Sequence, residues 1–160
     1  SHMNEATKPV NPEKEAYHRE AESRMHTFSY SKPAAMRNVK ELVNFVRTPN
    51  VRVQVQVVTE GGENNLHYHT NSDGVWMVLR GRAKFYGVGD ALLGELGEHE
   101  GIVIPGGARY WFEKVGETDL EILHITAVEN AAKKTDRINI DKHKDWMQEE
   151  FLQQYEETKA

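Results

Sequence analysis

Hydrophobic and polar residues alternate along much of the central part of this chain. In residues 51–58, VRVQVQVV, polar and apolar side chains take turns, a pattern typical of a strand with one buried face. Shorter runs with strand character follow, and turns containing Gly81, Gly87 and Gly116 separate them. The further predicted strands are 66–69, 75–79, 83–86, 101–104, 110–114 and 120–127. Many short strands with regular turns predict an all-β sandwich or barrel.

The two ends of the chain have other patterns. Asn11 and Pro12 suit the cap and first position of a helix, and the residues after them favour helix. Residues 40–47, KELVNFVR, fit either a short helix or a strand. Between residues 141 and 155, apolar side chains recur at every fourth position and predict an amphipathic helix. That helix would cover one end of the β domain or contact a second subunit.

These patterns divide the chain into three parts. We predict an N-terminal extension at 1–48, a β domain at 49–130 and a C-terminal helical tail at 131–160. Residues 1–3, Ser-His-Met, look like a cloning remnant and are set aside. A length of 160 residues suits one domain with a sizeable core.

Composition and charge narrow the function classes. The formal net charge is −5 and Lys and Arg are not clustered, so we expect neither nucleic acid nor a membrane as partner. No apolar run has the length of a membrane span or of a signal segment. The chain has no cysteine, which excludes disulfides and thiolate metal ligands. We expect a cytoplasmic protein that acts on a small molecule.

His67 and His69 are the strongest candidates for chemistry. They are one residue apart, and alternate side chains of a strand point to the same face. A strand here would aim two imidazoles into one space, as a metal site requires. The alternative is that both histidines lie on a solvated face or in a loop.

Glycines and a second motif surround this pair. Gly61 precedes His67 by five intervening residues, and Gly74 and Gly81 follow. A later stretch, residues 99–112, contains Pro105-Gly-Gly-Ala-Arg-Tyr110. Together the two stretches resemble the two motifs of the cupin family, a glycine-bounded His-x-His with a glutamate, and then Pro-x-Gly-x-x-His.

The resemblance covers roughly residues 50–128. It implies a single cupin jelly-roll β-barrel with N-terminal and C-terminal helical extensions, and a homodimer, since cupins commonly pair. It also implies one divalent metal held in part by His67 and His69. Nitrogen and oxygen ligands suit Fe, Mn, Ni or Zn.

Other motif positions depart from the family. The glutamate falls on Gly74, the last histidine on Tyr110, and the glycine that opens the second motif on His99. Two of the usual four ligands are thus retained, and a third must come from elsewhere. The candidates are Asp73, Tyr110 and His124.

Each candidate has a structural alternative. Asp73 fits a turn residue, and Tyr110 could orient substrate or transfer a proton instead of binding metal. In the family's barrel the last strand lies beside the strand of the glutamate. His124, on that last strand, could therefore fill the gap that Gly74 leaves, or it could be a hydrogen-bonded core histidine.

The expected register directs further side chains into the barrel. With His67 and His69 inward, the family's register also turns Trp76, Val78, Ala83, Phe85, Tyr110 and Phe112 inward. We expect Trp76 and Phe112 to contact substrate and Phe85 to be core. Arg52, Gln54 and Gln56 share one face of their strand, which is either the outer polar face or a barrel-mouth site for a carboxylate or carbonyl.

Three functions compete. The first, which we favour, is a metal-dependent cupin enzyme, dioxygenase-type, oxidising a small organic acid or phenol. The second is an isomerase, cyclase or lyase, metal-free or zinc-assisted, with His67 or His69 as base and Tyr110 as acid. The third is a ligand-binding cupin without activity.

Overall fold

The computed structural model describes residues 11–128 and 137–140. The predicted helix at 141–155 lies outside these residues. The helix α1, Pro12–Glu22, begins where the sequence predicts, because the Asn11 side chain accepts hydrogen bonds from the Glu13 and Lys14 amides. None of its residues is buried. No helix in the described ranges is long and apolar enough to cross a membrane.

Ten strands and a short 3-10 turn, Val88–Asp90, make up the rest of the described fold. The strands are β1 (Lys40–Arg47), β2 (Val51–Val58), β3 (Gly62–His69), β4 (Ser72–Arg80), β5 (Arg82–Tyr86), β6 (Leu92–Leu96), β7 (Gly101–Ile104), β8 (Tyr110–Val115), β9 (Leu120–Val128) and β10 (Arg137–Asn139). The predicted all-β class is confirmed, and the ambiguous residues 40–47 form a strand. β6 and β10 were not predicted.

The strands form two five-stranded sheets that pack face to face. The first has the order β1-β2-β9-β4-β7 and the second the order β10-β3-β8-β5-β6. Their inner faces share one core of apolar side chains from both sheets. Its largest members are Trp76, Phe85, Tyr110 and Phe112, each 1% exposed or less. As predicted, these side chains are inward, and burial of such aromatic rings is a main source of stability.

The barrel is larger than the predicted range 49–130. β1 lies in the predicted N-terminal extension but pairs antiparallel with β2 along its length. β10 lies in the predicted C-terminal tail but pairs with the end of β3. Both strands were left out of the predicted barrel. The sequence of β1 is compatible with a helix or a strand, and β10 is too short to show an alternation of polar and apolar residues.

The segment after α1 packs on the first sheet. The Phe28 ring stacks on Phe45 of β1, with centroids 5.5 Å apart. The Tyr30 hydroxyl donates to the Glu121 carboxylate at 2.6 Å, and Lys32 pairs with Asp119 at 2.7 Å. This segment therefore covers part of the sheet that would otherwise expose apolar side chains.

Strand register brings the chemistry-bearing residues together. On the second sheet, His67 lies opposite Tyr110 of β8 and Asn139 of β10. On the first sheet, His124 of β9 lies between Gln54 of β2 and Trp76 of β4. Because directly opposed residues of paired strands share a face, these side chains all project between the two sheets.

Close backbone approach makes Gly101 a test of this packing. A Cβ on Gly101 would overlap the carbonyl oxygen of Trp76, whereas a Cβ on Gly94 would meet only the Leu96 side chain at 3.7 Å. We expect Gly101→Ala to lower the free energy of unfolding by about 1–3 kcal/mol through this clash. Gly94→Ala is the matched control and should be neutral or slightly stabilising. Urea unfolding measures both, and equal stability of the two variants would contradict the β4–β7 pairing.

Candidate functional site

The two motif histidines and Tyr110 form one cluster of rings inside the barrel. The His67 and His69 ring centroids are 5.3 Å apart. Tyr110 lies 4.4 Å from His67 and 6.3 Å from His69, again between centroids. His67 is fully buried, whereas His69 is half-buried. The alternation of β3 thus aims both imidazoles inward, as the sequence predicts.

His67 is held by a hydrogen bond from one ring nitrogen, while the other ring nitrogen faces a carboxylate. Its Nδ1 lies 2.8 Å from the Asn65 carbonyl oxygen, which can only accept, so Nδ1 carries a proton. Its Nε2 lies 3.2 Å from Glu63 Oε2, yet neither atom has a hydrogen-bond partner among the described residues. Burial, aided by the Arg137 charge, lowers the pKa of His67 to about 4, although Glu63 opposes this shift. His67 is therefore a neutral imidazole near pH 7.

Glu63 lies between two buried cations. Its Oε1 is 3.4 Å from Lys40 Nζ and accepts from the Gln56 amide at 3.2 Å, and its Oε2 is 3.7 Å from Arg137 Nη1. Burial acts to raise the pKa of Glu63, but Lys40 and Arg137 outweigh it and hold that pKa well below its usual range. Burial also lowers the pKa of Lys40, which Glu63 partly offsets. The carboxylate is ionised and has more than one positive partner.

A second set of polar contacts fixes this cluster to β10. Arg137 donates to Asn139 Oδ1 and to Asn65 Oδ1, both at 2.8 Å. Asn65 Nδ2 also donates to Asn139 Oδ1 at 2.7 Å. Because Asn65 supplies the carbonyl that orients His67, β10 positions the histidine as well as the carboxylate.

His124 lies beside the space that the missing glutamate side chain leaves. A Cβ on Gly74 would come within 3.3 Å of His124 Nε2. The imidazole lies flat on the Trp76 indole, with centroids 3.6 Å apart and an interplanar angle of 6°. Its Nδ1 is 3.4 Å from Gln54 Nε2, and its Nε2 is 3.4 Å from Thr126 Oγ1. Burial lowers the pKa of His124 to about 3, so this ring is also neutral.

An inner cavity of about 20 Å³ lies beside these rings. It is lined by His69, Ser72, Gly74, Ile104, Pro105, Tyr110, His124 and Thr126. That volume holds about one water-sized group. An outer depression of about 650 Å³ shares Ser72 and Pro105 with the cavity. A larger molecule in the depression could therefore insert one small group into the cavity.

Other predicted site residues lie elsewhere. Phe112 is fully buried and packs on Phe85 and Trp76, at 4.9 and 5.0 Å between centroids, so it belongs to the core and does not line the cavity. The Gln56 side chain is inward, but its amide is bound to Glu63. Arg52 shares its row with Thr126, which places it toward the barrel mouth and outside the cavity lining.

Asp73 has a structural role at the mouth. It is exposed, and its Oδ1 accepts from the Gly106 amide at 2.8 Å. It therefore joins the start of β4 to the turn before β8. This geometry supports the turn interpretation over the third-ligand hypothesis.

Lys40, Glu63 and Arg137 were not found from the sequence. Glu63 and Asn65 share the odd-numbered face of β3 with His67, and this period of two could have indicated them. No comparable signal marks Lys40 or Arg137, since neither lies in a recognised motif. Their position beside Glu63 depends on the pairing of β1 with β2 and of β10 with β3.

The described residues do not fit a three-ligand metal site. No group of three His, Asp or Glu side chains in these ranges could hold one ion. His67 Nε2 faces a carboxylate that two cations already neutralise. His124 is turned to Gln54 and Thr126 and stacked on Trp76.

Comparison with known proteins identifies the fold. No family model and no curated protein matches this chain. A Klebsiella pneumoniae protein with a double-stranded β-helix domain matches with TM-score 0.59 and 16% identity, over 74% of this chain and 100% of its own. An RmlC-like cupin from Desulfovibrio desulfuricans matches with TM-score 0.53 and 22% identity, over 64% and 97%.

A third similar structure is Streptomyces Pac13 with uridine, at TM-score 0.54 and 17% identity, over 72% of this chain and 92% of its own. Pac13 is described as a nucleoside dehydratase. At these identities the matches establish fold alone. This chain has the cupin fold, as the resemblance implied.

The buried carboxylate gives a direct stability test. Glu63→Gln would remove the carboxylate that lies 3.4 Å from the buried Lys40 and 3.7 Å from Arg137. We expect a loss of about 3–5 kcal/mol in the free energy of unfolding. Glu95→Gln breaks a half-exposed pair with Arg82, 3.1 Å long, and should cost less than about 1 kcal/mol. Urea unfolding at neutral pH measures both, and similar losses would argue against the buried pairing.

Neutral buried histidines predict a pH dependence. The folded-state pKa values of His67 and His124, about 4 and about 3, lie below the ordinary value of 6.5. The unfolded chain therefore binds more protons between pH 6.5 and 4.5, and stability falls as pH is lowered through this window. Each histidine contributes at most about 1.4 kcal/mol per pH unit.

Urea unfolding across this window should show a shallower slope for His124→Gln than for the wild type. His26→Gln, which changes an exposed histidine outside the barrel, should retain the wild-type slope. A His124→Gln slope equal to wild type would show that the imidazole is not buried neutral.

Proposed function

We propose that this protein is a cupin enzyme that catalyses proton transfer on a small polar metabolite, in the manner of an isomerase or lyase. The observation that carries the proposal is the shared cavity of His69 and Tyr110. An imidazole and a phenol that face one small space can remove a proton from one atom and deliver one to another.

The two cavity residues have different roles in this proposal. His69 is half-buried, so it can exchange protons with solvent between turnovers and is the candidate base. Tyr110 is 1% exposed and its hydroxyl is the candidate acid. His67 contacts both rings, and its Nδ1 is bound to the Asn65 carbonyl oxygen, which makes it a positioning residue.

The charged cluster favours this chemistry. Lys40 and Arg137 lie 3.4 and 3.7 Å from Glu63, which itself lies beside His67. The positive charge of Arg137 lowers the pKa of His67 and helps to keep that ring neutral. It also stabilises negative charge that develops on a substrate at the cavity, and such fixed fields are strong where water is excluded.

The similar folds are consistent with this class of reaction. Pac13 is described as a nucleoside dehydratase and its structures contain uridine. Dehydration is an elimination that needs a base and an acid, which His69 and Tyr110 could supply. Sugars, nucleosides and hydroxylated carbonyl compounds are therefore the first molecules to test.

Metal-dependent, dioxygenase-type oxidation is the second candidate. It is favoured by the pair His67 Nε2 and Glu63 Oε2, which lie 3.2 Å apart without hydrogen-bond partners among the described residues, as two ligands of one cation would. Lys40 and Arg137 weaken the attraction of this carboxylate for a divalent ion. We therefore rank metal-independent chemistry first.

Exchange with solvent deuterium tests the proposal before the substrate is identified. The protein is incubated in D₂O with a panel of sugars, nucleosides and hydroxylated carbonyl compounds, and proton NMR follows C–H exchange or loss of water. Tyr110→Phe and His69→Gln should each reduce the rate by about 100-fold or more. Tyr86→Phe, whose hydroxyl bonds Glu113 outside the cavity, is the control and should remain active.

Chelation separates the two candidates in the same assay. Under the first candidate, activity survives chelator treatment and metal analysis finds no stoichiometric ion. Activity that is lost with a metal, together with absence of that metal from His67→Ala and His69→Ala, would favour the second. Binding of a panel member without turnover would indicate a ligand-binding cupin instead.

A further inference from the structure

We propose that the space beside Gly74 is a subsite for one carbonyl oxygen, held by the indole N–H of Trp76 and the imidazole N–H of His124. The proposal deepens the proposed function, on which its chemistry rests, by naming the group that the substrate presents. Its binding can be tested without any turnover.

The subsite exists because residue 74 has no side chain. The position of a Cβ on Gly74 lies 3.3 Å from His124 Nε2 and 3.8 Å from Trp76 Nε1. Both nitrogens therefore border the part of the cavity wall that Gly74 forms. An oxygen atom packed against the Gly74 Cα could approach both nitrogens.

Trp76 provides the observation that points to a ligand. Its side chain is fully buried, and Nε1 has no hydrogen-bond partner among the described residues. An indole nitrogen can only donate. A buried donor without an acceptor costs about 1–3 kcal/mol, which an incoming oxygen would recover.

His124 supplies the second donor through its tautomer. The Gln54 amide nitrogen, 3.4 Å away, donates to Nδ1, so a neutral ring carries its proton on Nε2. The contact of Nε2 with Thr126 Oγ1 is long, at 3.4 Å, and leaves room for a better acceptor. Stacking on Trp76 holds the two N–H groups in nearly parallel planes, since the rings are 6° from parallel and their centroids are 3.6 Å apart.

Size and chemistry together select the ligand group. The cavity of about 20 Å³ has room for about one non-hydrogen atom. Two uncharged donors favour an oxygen that accepts two hydrogen bonds, as a carbonyl oxygen does. The body of the molecule would lie in the outer depression, which meets the cavity at Ser72 and Pro105.

This placement sets the carbonyl beside the candidate base. His69 lines the same cavity and takes a proton from the carbon next to the carbonyl. The C–H electron pair forms a C=C bond, and the carbonyl π electrons move onto oxygen, where the two N–H groups stabilise the charge. The enolate then regains a proton at carbon, or it expels a β-hydroxyl that leaves as water with a proton from Tyr110.

The binding test follows the Trp76 indole N–H by NMR. Trp76→Phe assigns its signal in the ¹⁵N-labelled protein. Acetone probes an uncharged carbonyl, acetate a carboxylate, and ethanol a hydroxyl. We expect acetone to shift this signal downfield in the wild type and in Gly94→Ala, and not in Gly74→Ala, whose methyl group fills the subsite.

Gly74→Ala is expected to fold, because its Cβ meets a side-chain atom at 3.3 Å and no backbone atom closer than 3.8 Å. The proposal is overturned if acetone leaves the signal unchanged in the wild type, if Gly74→Ala responds equally, or if only a bound water is detected. A response to acetate alone would replace the carbonyl with a carboxylate and overturn the stated class.

Turnover separates this proposal from the proposed function. With any substrate found in the exchange screen, Trp76→Phe should lower kcat by about 100-fold or more, with a smaller change in KM. Acetone binding that is lost in Gly74→Ala, with no turnover of any compound, would keep the subsite and reject the enzyme. Turnover that Trp76→Phe leaves unaffected would reject the subsite and keep the proposed enzyme.

Discussion

The candidate site depends on one buried carboxylate. Glu63 on β3 is within 4 Å of Lys40 on β1 and Arg137 on β10, strands that belong to both sheets. Removing these charges from water is costly, and their mutual proximity together with hydrogen bonds offsets that cost. The ion pairs therefore require the strands to be docked before the site exists. They also fix the electrostatic potential that His67 experiences.

At two positions where the cupin motifs carry a metal ligand, this chain has Gly74 and Tyr110. Tyr110 replaces an imidazole with a phenol, which brings a hydroxyl to the cavity. Gly74 removes a carboxylate, and His124 and Trp76 lie against the vacated wall. The cavity wall at these positions therefore presents a phenol and an imidazole in place of the two motif ligands.

The fold and half of the site were predictable from sequence. Alternation in 51–58 predicted a strand, and the His67-x-His69 pair predicted that both imidazoles share one face, because side chains repeat with a period of two along a strand. The gap at Gly74 was also expected, with His124 on the neighbouring strand of the family's barrel as either a third ligand or a core histidine. Arg52, Gln54 and Gln56 could not be assigned a face, since the alternation of β2 is equally compatible with either.

The remainder of the site comes from residues without a sequence signal. Lys40 begins a strand that also fits a helix, and Arg137 lies on a strand of three residues. Their importance follows from long-range pairing, which periodicity does not encode. Phe112 was expected to contact substrate, but its ring packs against Trp76 and Phe85 in the core.

The location of the two cations has an evolutionary consequence. Lys40 and Arg137 both lie outside the motif-bearing segment that defines the barrel's family resemblance. A homologue could keep every motif residue and yet differ by two elementary charges behind its imidazoles. Reactivity in such a lineage could diverge through its terminal strands while the central sheet sequence stayed almost constant.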